Sequence, residues 1–201
     1  AQSHVTRGRE HIEYLKNRFQ NVTNIEVDLT SVFETFKKIV ADGSDVDKLN
    51  LSLANTRARL RMTTLYYFAG LHSLLVAGTG NKIEDFGVGF YTKYGDGGVD
   101  LSPIADLMKS EVHLLGSYLK IPESILKASP TDGLFGDDRT DEDQLGASYD
   151  ELEWAMLENE AGKSSDDFSG RKKIVLDIYK RLNTINQHKM TAIPVCFIPN
   201  E

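Results

Sequence analysis

Cysteine is nearly absent from this chain: Cys196 stands alone in 201 residues, so no internal disulfide can form. A reducing compartment is the expected home, and the reading is cytoplasmic. No apolar run approaches the roughly 20 residues needed to cross a bilayer, and Ala1–Gln2–Ser3–His4 does not open like a secretory signal. Positive charge is in deficit too. With 23 Lys and Arg against 30 Asp and Glu, the net charge of -7 argues against wrapping a polyanionic nucleic acid. A small nucleotide remains possible, because local cations or one metal ion suffice for it. Several catalytic signatures are missing as well. There is no Gly-x-Ser-x-Gly elbow, no His-Glu-x-x-His, no cysteine pair for zinc, no G-x-x-x-x-G-K-[ST] loop and no dinucleotide-binding G-x-G-x-x-G.

The length fits one domain with a sizeable core. Val5, Ile12, Leu15 and Phe19 recur at helical spacing, predicting a helix over 4–19, and 24–29 alternates like a strand. Ser31 with Glu34 reads as a capping box, opening a helix that turns Val32, Phe33, Phe36, Ile39 and Val40 inward and ends at Asp42–Gly43. The run 42–47 resembles a calcium loop faintly, but a helix stop followed by a new cap suits it better. A long helix over 52–71 and a strand over 74–78 follow. Ser102–Pro103 should open a helical stretch reaching Tyr118, and Ile121–Pro122 another short helix. Residues 129–146 read as a long acidic loop, of a kind that is either a functional lid or disordered, and for its charges a solvated run is a plainer account than a lid that orders on binding. Ser148 with Glu151 caps the helix containing Trp154, and a last helix carries Ile174, Ile178, Leu182 and Ile185 before His188–Lys189. Helices alternating with short strands predict an α/β layered fold with a parallel sheet.

The richest chemistry lies in Gly78–Thr79–Gly80–Asn81–Lys82–Ile83–Glu84 and Phe90–Tyr91–Thr92–Lys93–Tyr94–Gly95–Asp96–Gly97–Gly98 with Asp100. A hydroxyl and a carboxylate follow a strand end, where open α/β sheets hold ligands. A glycine-rich turn with opposite charges comes next. Its glycines allow close backbone approach or positive φ. Among Arg57, Arg59 and Arg61, Arg59 shares a semi-apolar helix face with Met62, Thr63 and Tyr66, and its planar fork suits phosphate or carboxylate. An ordinary solvated basic face, a turn threonine, a surface glutamate and a plain glycine turn would account for each feature taken singly. His188–Lys189 equally suits a helix C-terminus, where the dipole favours cations.

Taken together, these segments resemble the ammonia-dependent NAD synthetases of the N-type ATP pyrophosphatase superfamily. The resemblance runs through Arg59-x-Arg61–Met62, Gly78–Thr79 with Glu84, Phe90 to Gly98 with Asp100, Pro103 with Leu107-x-Lys109, Pro130–Thr131, Asp141–Glu142 with Leu145–Gly146, and His188–Lys189. It implies a three-layer α/β fold, adenine nucleotide alpha hydrolase-like or flavodoxin-like, with a parallel sheet between helices and a helical C-terminal part. It implies that Thr79, Lys109 and Thr131 contact ATP and that Glu84 holds Mg²⁺. Arg59, Lys93, Asp100, His188 and Lys189 would contact deamido-NAD, whose nicotinate carboxylate becomes an amide through an acyl-adenylate. Asp96 is the candidate for binding ammonium and taking its proton. The resemblance also implies a homodimer using free ammonia.

Two departures stand out. The family's Ser-Gly-Gly-x-Asp-Ser pyrophosphate loop is absent from these residues, so the expectation is one NAD synthetase domain lacking its first strand and that loop. The family's Thr-Ala-Asp-Leu is here Thr131–Asp132–Gly133–Leu134. Another adenylating amidotransferase of the superfamily, or an inactive dimer-forming fragment, is the alternative.

Overall fold

The computed structural model describes residues 2–40, 45–131 and 140–198. Helices dominate them. Helix α1 (Gln2–Arg18) and α2 (Thr30–Val40) precede the long α3 (Val46–His72), and one turn of π-helix (Ile83–Val88) follows the segment expected as a strand. Then come α4 (Lys109–Tyr118), α5 (Glu123–Leu126), α6 (Asp141–Leu145), α7 (Tyr149–Glu160) and α8 (Gly170–Met190).

The C-terminal part is the packed one. Leu152, Ala155 and Met156 of α7 meet Val175, Leu176 and Tyr179 of α8, with Ile83, Val88 and Leu145 closing the cluster. Ile83, Val88, Leu152, Ala155 and Leu176 are fully buried. The predicted stripe on α8 is rotated by about a residue. Ile174 and Ile185 are exposed at 53% and 56%, while Val175, Leu176 and Tyr179 face the core. The π-turn sits between α7 and α8 and demands the side one position on from the isoleucines. Ser148 does start α7: its hydroxyl accepts from Glu151 N and the Glu151 carboxylate accepts from Ser148 N.

Elsewhere the caps differ from expectation. Helix α3 starts at Val46, six residues before the predicted start, because Asp45 accepts from Lys48 N at 3.1 Å. That agrees with a new cap within 42–47, although 41–44 lie outside the described residues. At α2 the predicted Ser31–Glu34 box is replaced by Asp28, which accepts from Thr30 N at 2.9 Å. Only Phe33 of its apolar face is buried, under the Arg57 guanidinium at 4.2 Å, whereas Val32, Phe36, Ile39 and Val40 are 40–78% exposed. Ser102–Pro103 opens a turn, not a helix. The Leu107 carbonyl is taken by Lys82 N at 2.8 Å, and α4 begins only at Lys109, capped by Glu111 on Met108 N. Proline at 122 opens α5 as predicted. Part of the acidic run is helical: Thr140 and Asp143 cap α6, while 132–139 lie outside the described residues.

The expected strands are the main correction. Among the described residues no strand forms, and 22–29 has no regular secondary structure. The 74–78 segment makes one parallel bridge, Ala77 to Leu101, with Gly78 N on Leu101 O at 2.7 Å. A strand needs at least one neighbour paired to it along a ladder, and alternation alone does not supply one. Ile25, Val27, Leu74 and Leu75 are therefore left 47–69% exposed, lining a groove of about 1010 Å³ that runs along α3 past Leu65 and Phe68.

Candidate active site

The loop 89–98 is held by its own Asp96 and from outside by Asn55, Arg59 and Lys189. Tyr94 adopts the left-handed conformation, φ 62°, while the glycines around it serve close approach instead. A Cβ on Gly95 would lie 2.9 Å from Ala58 Cβ, and one on Gly97 2.3 Å from the Tyr91 ring. Packing of α3 against this loop requires the first, and the fold of the loop over its own Tyr91 ring requires the second. Asp96 Oδ1 accepts from Thr92 N at 3.0 Å, which closes the turn and leaves the carboxylate exposed.

Asp96 borders three cavities. One of about 410 Å³ is lined by Thr79, Glu84, Lys109, Pro130, Thr131 and Asp141, with Arg7 of α1. A second, of about 350 Å³, is lined by Gly89 to Thr92, Asn186 and Lys189. The third, about 310 Å³, runs from Ala58 and Met62 to Thr79. Groups separated by 52 positions in sequence, Thr79 to Thr131, thus face one space.

Inside the first cavity, Lys109 Nζ lies 2.9 Å from Glu84 Oε1, the two side chains being 21% and 16% exposed. The Tyr149 hydroxyl donates to the same Oε1 at 2.6 Å and lies 3.2 Å from Asp141 Oδ2. Lys109 also sits over the Tyr149 ring at 4.6 Å. Burial, and then the Glu84 and Asp141 charges, push the Tyr149 phenol far above its ordinary value, so it remains a donor. The Asp85 carboxyl is pushed up to about 6, chiefly by burial and then by Glu84 and Asp96.

Four of the predicted dinucleotide contacts, Arg59, Lys93, His188 and Lys189, are linked near the end of α8, and Asp100 is not among them. Lys189 Nζ donates to the Gly89 and Tyr91 carbonyls, each at 2.8 Å, and burial lowers its pKa, partly offset by Asp96. Tyr91 donates to the Lys189 carbonyl and Lys93 to the His188 carbonyl. Arg59 Nε donates to Lys93 O at 3.3 Å. His188 is exposed, its Nδ1 3.2 Å from Ile185 O. Asp100 is engaged by its own fold: Tyr66 donates to Oδ1 at 3.0 Å and Val76 N to Oδ2 at 2.8 Å. It pins the 74–78 segment to the loop.

Tyr149, Asp141 and Arg7 were not singled out as site residues by sequence reasoning. The Ser148 box does announce Tyr149 as the first residue of a helix, but nothing local shows that this helix begins against Glu84.

Among the described residues no group of three or more His, Cys, Asp or Glu could hold a metal by itself. Mg²⁺ takes one or two carboxylates and completes its shell with phosphates and water. Both hydrogen bonds to Glu84 fall on Oε1, which leaves Oε2 for such a role.

The NAD synthase family profile matches residues 4–192. The chain belongs to the NAD synthase family. It is 37% identical over 169 residues to the NH(3)-dependent NAD(+) synthetase of Carboxydothermus hydrogenoformans, covering 84% of this chain and 65% of that protein. It is 41% identical over 165 residues to that of Mesoplasma florum, covering 82% and 62%. The chain thus spans somewhat less than two thirds of these relatives. Among solved structures, NMN synthetase from Francisella tularensis matches with a TM-score of 0.79 and 29% identity, over 100% of this chain and 74% of that one. The NH3-dependent NAD synthetase from Campylobacter jejuni, in complex with the nitrate ion, matches with a TM-score of 0.63 and 25% identity, over 85% and 64%.

Proposed function

We propose that this chain carries the catalytic site of an ATP-dependent carbon–nitrogen ligase that amidates deamido-NAD with ammonia to give NAD, AMP and pyrophosphate. One observation carries the reading: Thr79, Glu84, Lys109 and Thr131 line a single cavity whose edge is Asp96, next to the cavity of Lys189. The nicotinate carboxylate attacks the α-phosphorus of ATP, pyrophosphate leaves, and ammonia displaces AMP from the acyl-adenylate.

Lys109 and the hydroxyls of Thr79 and Thr131 bind and orient the phosphates, and no protein nucleophile is needed. Glu84 would hold Mg²⁺, which when bound neutralises charge on the phosphate oxygens. Asp96 takes the proton that ammonia loses on forming the amide. Arg59, Lys93, Asp100, His188 and Lys189 would border the dinucleotide.

In this reading the chain is one domain of the adenine nucleotide alpha hydrolase-like fold, with its first strand and pyrophosphate loop outside residues 1–201. Support comes from the apolar groove lined by α3 and the segments 22–29 and 74–78, which has room for a further strand. Exposed Tyr67 and Leu71 on α3 support a homodimer. No helix among the described residues is long and apolar enough to cross a membrane; the proposed location is the cytoplasm.

A second reading, favoured by the TM-score of 0.79 to the NMN synthetase, is amidation of a nicotinate mononucleotide. The test is to incubate the purified protein with Mg-ATP, ammonium and either deamido-NAD or nicotinate mononucleotide, following pyrophosphate and the amide product. Turnover of the dinucleotide alone supports the first reading and of the mononucleotide alone the second. Absence of both, with no pyrophosphate released, defeats the ligase.

A further inference from the structure

We infer that Arg7, on α1, is a contact for the β- and γ-phosphates of ATP; the inference rests on the ATP-using reading of the Thr79–Glu84–Lys109 cavity. Helix α1 is tied down along one face. Glu10 accepts from Ser124 Oγ at 2.7 Å, the Tyr14 hydroxyl donates to Leu119 O at 2.9 Å, and Arg18 donates to the same carbonyl at 2.9 Å. Positions 7, 10, 14 and 18 follow the i, i+3, i+7, i+11 pattern of a single helical face. The contacts that dock Glu10, Tyr14 and Arg18 on 119–124 therefore carry Arg7 over the adjoining 128–131 stretch, where it lines the cavity.

Charge decides what Arg7 is for. The cavity holds the carboxylates of Glu84, Asp96 and Asp141. Its lysine is already committed, with Lys109 Nζ 2.9 Å from Glu84. Nearby Lys82 faces Asp106 at 3.6 Å. Arg9, two residues along α1, is paired with Glu26 at 2.7 Å. Arg7 is half-buried and, among the described residues, makes no hydrogen bond or ion pair. An uncommitted guanidinium in an otherwise acidic cleft suits an anionic ligand, and its fork matches phosphate oxygens in pairs. A single phosphate could be met by the threonine hydroxyls and Lys109. The added negative charge of the β- and γ-phosphates favours a further cation beside Mg²⁺, and among the described lining residues Arg7 supplies it at that rim.

The experiment is isothermal titration of the purified protein with Mg-ATP and, separately, with AMP, for the wild type, R7A and R7K. Circular dichroism checks that α1 is retained; the change is on a solvent-facing helix and alanine is a good helix former. The expected result is a loss of about tenfold in ATP affinity for R7A, partial recovery in R7K, and AMP affinity unchanged. In the amidation assay the KM for ATP should rise while that for the nicotinate substrate stays. Equal ATP affinity in wild type and R7A, or equal weakening of ATP and AMP, overturns the assignment. A wild-type protein that binds no ATP defeats the ligase reading itself, a result distinct from the two above.

Discussion

The Tyr149 hydroxyl, the first side chain of α7, hydrogen-bonds Glu84 Oε1 at 2.6 Å across 65 positions of sequence. It reaches Asp141 Oδ2 at 3.2 Å from the same oxygen. The single phenolic proton is given to Glu84 across the shorter distance, and Lys109 donates to the same carboxylate oxygen.

Y149F removes that donor while keeping the buried ring. Glu84 loses one of its two hydrogen bonds, and an ion-holding carboxylate with a weakened outer support loses metal affinity. The expected result is a rise of about tenfold in the Mg²⁺ concentration giving half-maximal turnover, within the range seen when outer partners of a metal ligand are removed. A Mg²⁺ titration of pyrophosphate release measures it. A thermal melt shows whether the fold survives the change. An unaltered Mg²⁺ dependence would mean that Tyr149 merely fills space.

The helical C-terminal half was legible because its signals are local. The Ser148–Glu151 box and Pro122 fix helix starts within a turn, and both appear where expected. The stripe on α8 was misjudged by one position because the decisive partner is a π-turn, whose geometry hydrophobic spacing does not encode. The strands at 24–29 and 74–78 failed for another reason. Alternation describes a surface, whereas a ladder needs a second chain segment, and Leu101 is the single bridging partner that 74–78 finds among the described residues. At the site, Thr79, Glu84 and Lys109 were reachable through family resemblance, and the cavity they share is seen only in three dimensions. Arg7 lies within α1 and Tyr149 at the start of α7, neither with a motif of its own, so only packing reveals them.

Asp96 is the group to test for the nitrogen step. An asparagine keeps an oxygen for the Thr92 N–H, which Oδ1 accepts at 3.0 Å, and removes the negative charge. ATP–pyrophosphate exchange dependent on the nicotinate substrate should persist in D96N. Ammonia-dependent amide formation should fall by about 10² or more, the usual contribution of a positioned proton acceptor. Equal losses in both half-reactions would assign Asp96 to loop structure and not to ammonia.

Gly97 couples the loop to the second cavity. In G97A the new Cβ would sit 2.3 Å from Tyr91 Cδ2, so the ring must move, and with it the hydroxyl that anchors the Lys189 carbonyl. Overpacking of this kind costs about 1–3 kcal/mol. The KM for the nicotinate substrate should rise with that for ATP little changed, because Lys189 borders the second cavity and not the first. Steady-state kinetics with each substrate varied in turn, alongside urea denaturation, checks both parts. A uniform loss of kcat at unchanged KM values would contradict the coupling.

Acid stability should depend on Glu151. Its carboxylate accepts from Arg171 Nε at 2.7 Å, from Arg171 Nη2 at 2.6 Å and from Ser148 N at 2.9 Å. The Arg171 hydrogen bonds, with help from Ser148, hold its pKa at about 2, below the ordinary 4.5. The folded state therefore releases this proton more readily than the unfolded chain. Stability from the pair is complete above about pH 4.5 and disappears as pH falls toward 2. Both side chains are partly exposed, 53% for Arg171 and 32% for Glu151, so screening keeps the contribution near 1 kcal/mol. E151Q should be less stable than wild type by about that amount at neutral pH. The gap should narrow between pH 4.5 and 2, because protonation then removes the same charge from the wild type. Urea denaturation of both proteins across that range measures it, and a gap that stays constant with pH would assign the loss to the helix cap alone.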